Sequence, residues 1–308
     1  VVQPAPARPG LVQDQDTKKE DTLDTVFTYL YQVGFAVSIL VLISLGLALI
    51  FGMMKVINLA QGEFLMLGAY FCVLTSSMGA PLWIAIPVAG VLVGLFGVVV
   101  ERTVIQWLYG RVLDTLLATW GVSLLMIGIV TTVAGPQSHS ISSSVGRVVV
   151  GGFVVPGWSM VIIAGAVLML LATYLILRFT NLGLIVRGTM QNPQMARALG
   201  TNTSMIYMLT FGFGSALTGL GGALLVPLFG ASPTMGGLYI GKAFIAVISG
   251  GPLPLIGTMS ASGLYGSIDG VMSYLFSPVL GEIIVLLVAI VMLRLLPSGI
   301  TGGMRKGI

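Results

Sequence analysis

Six long stretches of this chain contain no Asp, Glu, Lys or Arg: Thr25–Met54, Phe64–Val100, Thr115–Gly146, Val148–Leu177, Ala198–Gly241 and Ala243–Ile268. A helix crosses a hydrocarbon core with about 20 apolar residues, so each stretch is long enough for one crossing and the longest for two. Hydrophobic residues make up 56% and charged residues 8% of the chain, which excludes an ordinary soluble domain. Lipid offers the backbone no hydrogen-bond partner, so spans of this kind close their bonds internally as helices. The expected fold class is therefore all-α, a polytopic membrane helix bundle.

We read about eight transmembrane helices, at Val33–Met53, Phe64–Ser77, Leu82–Val100, Thr115–Ala134, Trp158–Leu177, Ile206–Leu228, Leu255–Phe276 and Ile283–Leu296. Tyr239–Gly250 is too short to cross alone and reads as a re-entrant half-helix. Many spans are glycine-rich, with 42 glycines in all, which predicts close helix packing where lipid supplies no drive for association. Residues 1–24 carry eight of the 24 charges and a Pro-rich start, and read as a disordered tail ahead of a transmembrane domain over residues 25–308.

The net charge of +4 divides unevenly: the tail contributes 3 − 5 = −2, leaving 11 − 5 = +6. Arg102 and Arg111, then Arg178, Arg187 and Arg197, then Arg294, Arg305 and Lys306 mark connections expected on the cytoplasmic side. Gly135–Gly157 has only Arg147 and Phe229–Gly241 no basic residue, as expected outside. This places the tail extracytoplasmically. Two spans and a half-helix after Phe229 would leave the C-terminus outside as well, against its charges; we follow the charges. Trp83, Trp107, Trp120 and Trp158 fall near span ends, as interfacial anchors do.

Enzyme chemistry finds no support. The chain lacks a Gly-x-x-x-x-Gly-Lys-Ser/Thr phosphate loop, a His-Glu-x-x-His pair and a Gly-x-Ser-x-Gly elbow. One cysteine, Cys72, in an apolar run reads as a small core residue, and one histidine, His139, has no companions for a metal site. No catalytic residue, metal ligand or cofactor is expected in this chain.

Between two apolar segments, Phe51-Gly-Met-Met-Lys-Val-Ile-Asn-Leu-Ala-Gln-Gly-Glu-Phe64 inserts Lys55, Asn58, Gln61, Gly62 and Glu63. Polar groups at membrane depth are costly unless buried in protein or lining a wet cavity, so this break marks a route through the bilayer. Further glycine-interrupted segments, Phe211–Gly222 and Ser249–Gly257, point with it to a midplane site on discontinuous helices. Asn58, Gln61 and Glu63 either tie the broken ends or touch solute, and tying is the plainer reading. Glu63 opens a helix, where the dipole favours a carboxylate. Asp269 and Glu282 read as interfacial or partner-paired carboxylates.

The connection over residues 178–204 holds a second candidate. Asn192 caps, Pro193 opens, Gln194–Leu199 form a short helix and Gly200 ends it. Met195 and Leu199 share one face beside Arg197. The segment either docks into a groove on a cytoplasmic partner or is a solvated connector packed on its own bundle.

Three segments carry a resemblance: Val56-Ile-Asn-Leu-Ala-Gln-Gly-Glu-Phe-Leu-Met-Leu-Gly-Ala-Tyr70, Gln191-Asn-Pro-Gln-Met-Ala-Arg-Ala-Leu-Gly200 and Thr210-Phe-Gly-Phe-Gly-Ser-Ala-Leu-Thr-Gly-Leu-Gly-Gly-Ala223. They resemble the membrane permeases of branched-chain amino acid and urea/amide ABC importers, in order and from Val33 to Leu296. The resemblance implies that Gln191, Asn192, Pro193, Ala196, Arg197, Leu199 and Gly200 belong to a coupling helix docking on an ATPase. It further implies a bacterial inner-membrane location and a second related permease or a copy of this chain. Two cytoplasmic ATPases would bind ATP and Mg, and an extracytoplasmic solute-binding protein would deliver the solute. Leu108–Gly121 and Pro233–Gly236 look more like the urea/short-amide branch. Ser249-Gly-Gly-Pro-Leu-Pro254 departs from the family's Gly-Gly-x-Gly-Ser-like turn. The rival readings are an ATP-independent channel or facilitator and an ion-coupled carrier using Glu63 or Asp269.

Overall fold

The computed structural model describes residues 13–143, 145–150 and 153–302. Residues 1–12 of the expected tail, and Arg305 and Lys306, lie outside the described residues. Residues 13–24 are continuous with the first helix, α1 (Gln13–Met54). There follow α2 (Gln61–Ser77), α3 (Leu82–Thr103), a short 3₁₀ turn at Ile105–Leu108, and α4 (Val112–Ala134). A two-stranded hairpin of β1 (Arg147–Val150) and β2 (Phe153–Pro156) leads to α5 (Gly157–Phe179), α6 (Asn181–Gln191) and α7 (Pro193–Ala198). The chain closes with α8 (Thr203–Phe229), α9 (Met235–Gly250), α10 (Pro254–Leu275) and α11 (Pro278–Leu295).

Every expected crossing corresponds to a helix, yet the number able to cross alone is smaller. Among the described residues six are long and apolar enough, namely the Val26–Met54 part of α1 together with α3, α4, α5, α8 and α11. The pair α9 and α10, bent by 118° at its break, would make a seventh if it is one span. α2 has 17 residues because its first part is unwound, and α10 is diluted by Gly, Ser and Thr.

α8 is the spine of the bundle, with 78% of its most apolar window buried, against 22% for α4, α5 and α11 at the periphery. Small residues let its neighbours approach to backbone contact. A methyl at Gly68 of α2 would strike the Gly219 backbone of α8, and one at Gly222 of α8 would strike the Leu65 carbonyl of α2. Cys72 is fully buried in this core. Trp158 is fully buried too and donates to the Leu224 carbonyl at 2.9 Å, so it packs the interior rather than anchoring at an interface. Trp83, Trp107 and Trp120 are exposed.

The glycine contacts also give the direction of each helix. α1 and α8 run antiparallel, Leu42 facing Gly221 and Ile50 facing Gly214. α1 and α10 do likewise, with Val33 on Gly270, Val37 on Gly266 and Gly52 on Pro254. The ends of α1 and α5 and the start of α10 therefore share one face. α9 returns the chain to that face, since Gly250 at its end packs backbone to backbone on Gly257 of α10. The end of α11 arrives there as well, which resolves the uneven count and puts the C-terminal end on the face bearing α6 and α7.

The α9–α10 elbow departs from helix at Gly251, whose φ of 87° suits glycine. Pro252 and Pro254 offer no N–H there, and the last carbonyls of α9 need donors. The segment after α11 supplies them. Ile300 donates its N–H to the Ser249 carbonyl at 2.8 Å and Thr301 to that of Gly250 at 3.2 Å. The Thr301 hydroxyl donates to the same Gly250 carbonyl at 2.6 Å and accepts from the Leu253 N–H at 3.3 Å. Thr301 is fully buried.

Candidate functional site

α1 stops where Lys55 turns into the left-handed region with φ 53°, its N–H donating to the Phe51 carbonyl at 2.9 Å. Such a φ is uncommon outside glycine and ends the helix abruptly. Residues 55–58 then run without regular structure, while Lys55 itself is exposed. This segment climbs back to the depth of Gly46, because Gln61 and Gly46 both meet Thr218 of α8. The second span thus begins unwound and finishes as α2.

Unwound backbone in the interior needs partners, and α4 and the segment's own amides provide them. Thr119 of α4, fully buried, accepts from the Leu59 N–H at 3.1 Å and lies 3.4 Å from the Ile57 carbonyl. Asn58, also fully buried, accepts from the Ala60 N–H at 3.1 Å and donates to the Gln61 side chain at 3.0 Å. Gln61 passes the chain on, its amide donating to the Thr218 hydroxyl, which donates to the Gly214 carbonyl at 3.0 Å. The polar groups of Asn58 and Gln61 are thereby engaged by the protein.

Glu63 differs. It is 4% exposed, lies in the first turn of α2, and is faced by Ser123 of α4, but its Oε2 has no partner. A buried carboxylate oxygen without a hydrogen bond is costly. Beside it Gly62 meets Gly236 of α9, and a methyl on either would enter the other's backbone. The starts of two interrupted helices, α2 and α9, therefore meet backbone to backbone at Gly62 and Gly236. The partial positive charge at the start of α2 favours the Glu63 carboxylate in its first turn. The gap between Gln61, Gly62, Leu65 and Tyr239 is too small to hold a water.

The other sequence-predicted residues lie at the face shared by the ends of α1, α5 and α11. Thr180 caps α6 by accepting from the Gly183 N–H at 3.1 Å. Asn192 caps α7, accepting from the Met195 N–H at 3.0 Å, with Pro193 at the first turn. Gly200, at φ 86°, ends the turn, and the Thr201 N–H returns to the Ala196 carbonyl at 3.0 Å. α7 spans Pro193–Ala198, one residue earlier than expected. Ala196 faces inward at 9% exposure, whereas Met195 at 57% and Leu199 at 78% stand together in the open. Gln191, Asn192 and Arg197 are exposed and Pro193 is half-buried. The break residues and this arm form two separate groups, one interior and one at a face.

Sequence reasoning misses several members. It treats α6 as plain connection, although Leu182, Val186 and Thr189 recur at helical spacing after the Thr180 cap. The partners Thr119, Ser123 and Thr218 come from helices far apart in sequence and carry no signal of their own. Glu101, fully buried at the end of α3, accepts from the Tyr109 hydroxyl, and its Oε2 has no partner. Burial, with the Glu101 carboxylate beside it, pushes the Tyr109 phenol well above its ordinary range, so it remains a donor. Glu282 pairs with Lys242 of α9 at 3.4 Å, and Asp269 accepts from Ser273 at 3.3 Å.

The profile of the family described as "Branched-chain amino acid transport system / permease component" matches residues 29–293. The chain is 27% identical over 281 residues to the probable branched-chain amino acid transport permease protein LivH of Methanocaldococcus jannaschii, covering 86% of this chain and 89% of that protein. It is 27% identical over 280 residues to the high-affinity permease LivH of Escherichia coli, covering 85% and 90%. The high-affinity permease BraD of Pseudomonas aeruginosa is also 27% identical, over 297 residues, covering 90% and 97%. No solved structure matches the chain. An interrupted interior and a polytopic helical bundle agree with this kinship, and the chain belongs to the family of branched-chain amino acid transport system permease components.

Proposed function

We propose that this chain is the transmembrane subunit of an ATP-driven importer, lying in the bacterial inner membrane and carrying a small polar solute, either a branched-chain amino acid or urea or a short-chain amide. It pairs with a second permease or a copy of itself, receives solute from an extracytoplasmic binding protein, and is driven by two separate ATPases that bind ATP and Mg. The single observation that carries this reading is the open apolar pair Met195 and Leu199 on a doubly capped arm. An apolar pair held out from the bundle by caps on both sides is arranged to meet another protein. The interior supplies the other half. Asn58, Gln61 and Gly62 hold the broken ends, and the unpartnered Glu63 oxygen is the group left to meet a solute amine or amide.

Met195→Asp with Leu199→Asp tests the coupling in vesicles holding the permease pair, both ATPases and the binding protein. Both ATPase binding and uptake should fall, because two carboxylates replace apolar contacts at the dock. Uptake that continues unchanged, or solute flux through the permease pair without ATPase, would sink the proposal in favour of a facilitator. Leucine and urea offered in parallel decide the solute class. The three relatives are all described as branched-chain amino acid permeases.

A further inference from the structure

The face bearing α6 and α7 also carries a cavity. It has a volume of about 430 Å³ and opens between the end of α5, α6 and the α9–α10 elbow. Arg178 and Arg187 line it together with Gln191, and its walls are apolar, formed by residues such as Tyr174, Leu255 and Ile256. Among the described residues no carboxylate lines it, and neither arginine takes part in a salt bridge. Arg187 is held in place by donating to the Leu177 carbonyl, while Arg178 is exposed.

Depth identifies the occupant. α5 has 23 residues, and at 1.5 Å per residue it is about 35 Å long, enough to cover a core of roughly 30 Å. Its outward side chains Leu168, Leu171 and Leu175 are exposed along the way. Arg178 lies in its last turn, hence at headgroup level. Ile256, 52% exposed, and Tyr174, 45% exposed, continue the apolar surface into the cavity. A soluble anion would leave those walls wet, and a protein carboxylate would approach from the water side near α7. An amphiphile satisfies both parts.

The geometry points to a site for one anionic phospholipid, its phosphate between Arg178 and Arg187 and an acyl chain along Tyr174, Leu255 and Ile256. Basic pockets between helices on the cytoplasmic side suit such headgroups. A lipid here would bridge the α5–α6 bend and the α9–α10 elbow. The site does not depend on ATP-driven transport, so its failure and the failure of that reading are separable.

Native mass spectrometry of the purified full chain tests it, with phosphatidylglycerol and phosphatidylcholine of equal chain length added to neutral detergent. The chain should retain one phosphatidylglycerol in preference to phosphatidylcholine. Arg178→Gln should lower that preference roughly fivefold and the double variant with Arg187→Gln about twentyfold or more, while Arg178→Lys keeps most of it. Ile256→Asp should weaken retention with both arginines present. Because Arg187 also braces α5, Arg178→Gln and Ile256→Asp decide the outcome if the double variant elutes as aggregate. Equal retention by the native chain and Arg178→Gln overturns the site. Displacement by inorganic phosphate beyond that by chloride of equal ionic strength means that a free anion fits, and overturns the lipid. A native chain without preference, whose Arg178→Gln variant loses its ATPase instead, assigns the arginines to a protein interface and likewise overturns it.

Discussion

Gln61 and Glu63 are neighbours in the first turn of α2, yet their polar atoms meet different fates. Gln61 gives its amide to Thr218 and receives Asn58, so it ties the unwound segment to the spine. Gln61→Leu would strand the Asn58 amide in a buried place and take from the Thr218 hydroxyl its donor, leaving it only its bond to the Gly214 carbonyl. We expect a loss of about 1–3 kcal/mol in stability, read as a lower melting temperature of the purified chain in detergent. Glu63 has an oxygen to spare. Glu63→Gln keeps the shape and removes the charge, so the bundle should melt close to the native temperature. Uptake in the assembled importer should nevertheless drop roughly tenfold or more, the worth of one hydrogen bond to a charged group. A fall in melting temperature matching that of Gln61→Leu, with uptake per folded molecule unchanged, would make Glu63 a purely structural residue.

Among the elements, α9 is held at both ends. It opens against Gly62 and closes at an elbow fastened by the segment after α11. Thr301→Val removes the hydroxyl that serves both Gly250 and Leu253 in a buried site. The expected cost is about 1–3 kcal/mol, confined to the elbow, with faster amide exchange at Leu253 and restoration by Thr301→Ser. Unchanged exchange at Leu253 would mean that the backbone bonds of Ile300 and Thr301 suffice. The hairpin of β1 and β2 has a local signal that charge counting passes over. Val148-Val-Val and Phe153-Val-Val flank Gly151-Gly152, a strong hairpin pattern inside the connection between α4 and α5. α6 escapes sequence reasoning for a related reason, since a polar connection between spans does not suggest an amphipathic helix of its own.

At the scale of the whole molecule, the antiparallel order puts Leu199 and the end of α11 on one face and the α4–α5 connection on the other. With Cys72→Ser as background, Leu199→Cys should react with a membrane-impermeant thiol reagent only in inverted vesicles, and Ser138→Cys only in right-side-out ones. Both labelling from the same side would overturn the assigned orientation. Much of this is fixed by composition alone. Charge-free runs force helices because lipid leaves the backbone no other partner, and basic connections choose which face they occupy. The caps Asn192, Pro193 and Gly200 act within a few residues of themselves, so α7 can be located without any tertiary contact. The break at Lys55 is visible for the same local reason, as polar residues between apolar ones. Which of those residues are engaged and which left over is not. Thr119, Ser123 and Thr218 lie 60 or more residues away from the break in the chain, and hydrogen-bond satisfaction is decided by groups that only packing brings together. The return of α9 to the face bearing α6 and α7, and the lock on its elbow, likewise depend on contacts between distant segments that no local pattern encodes.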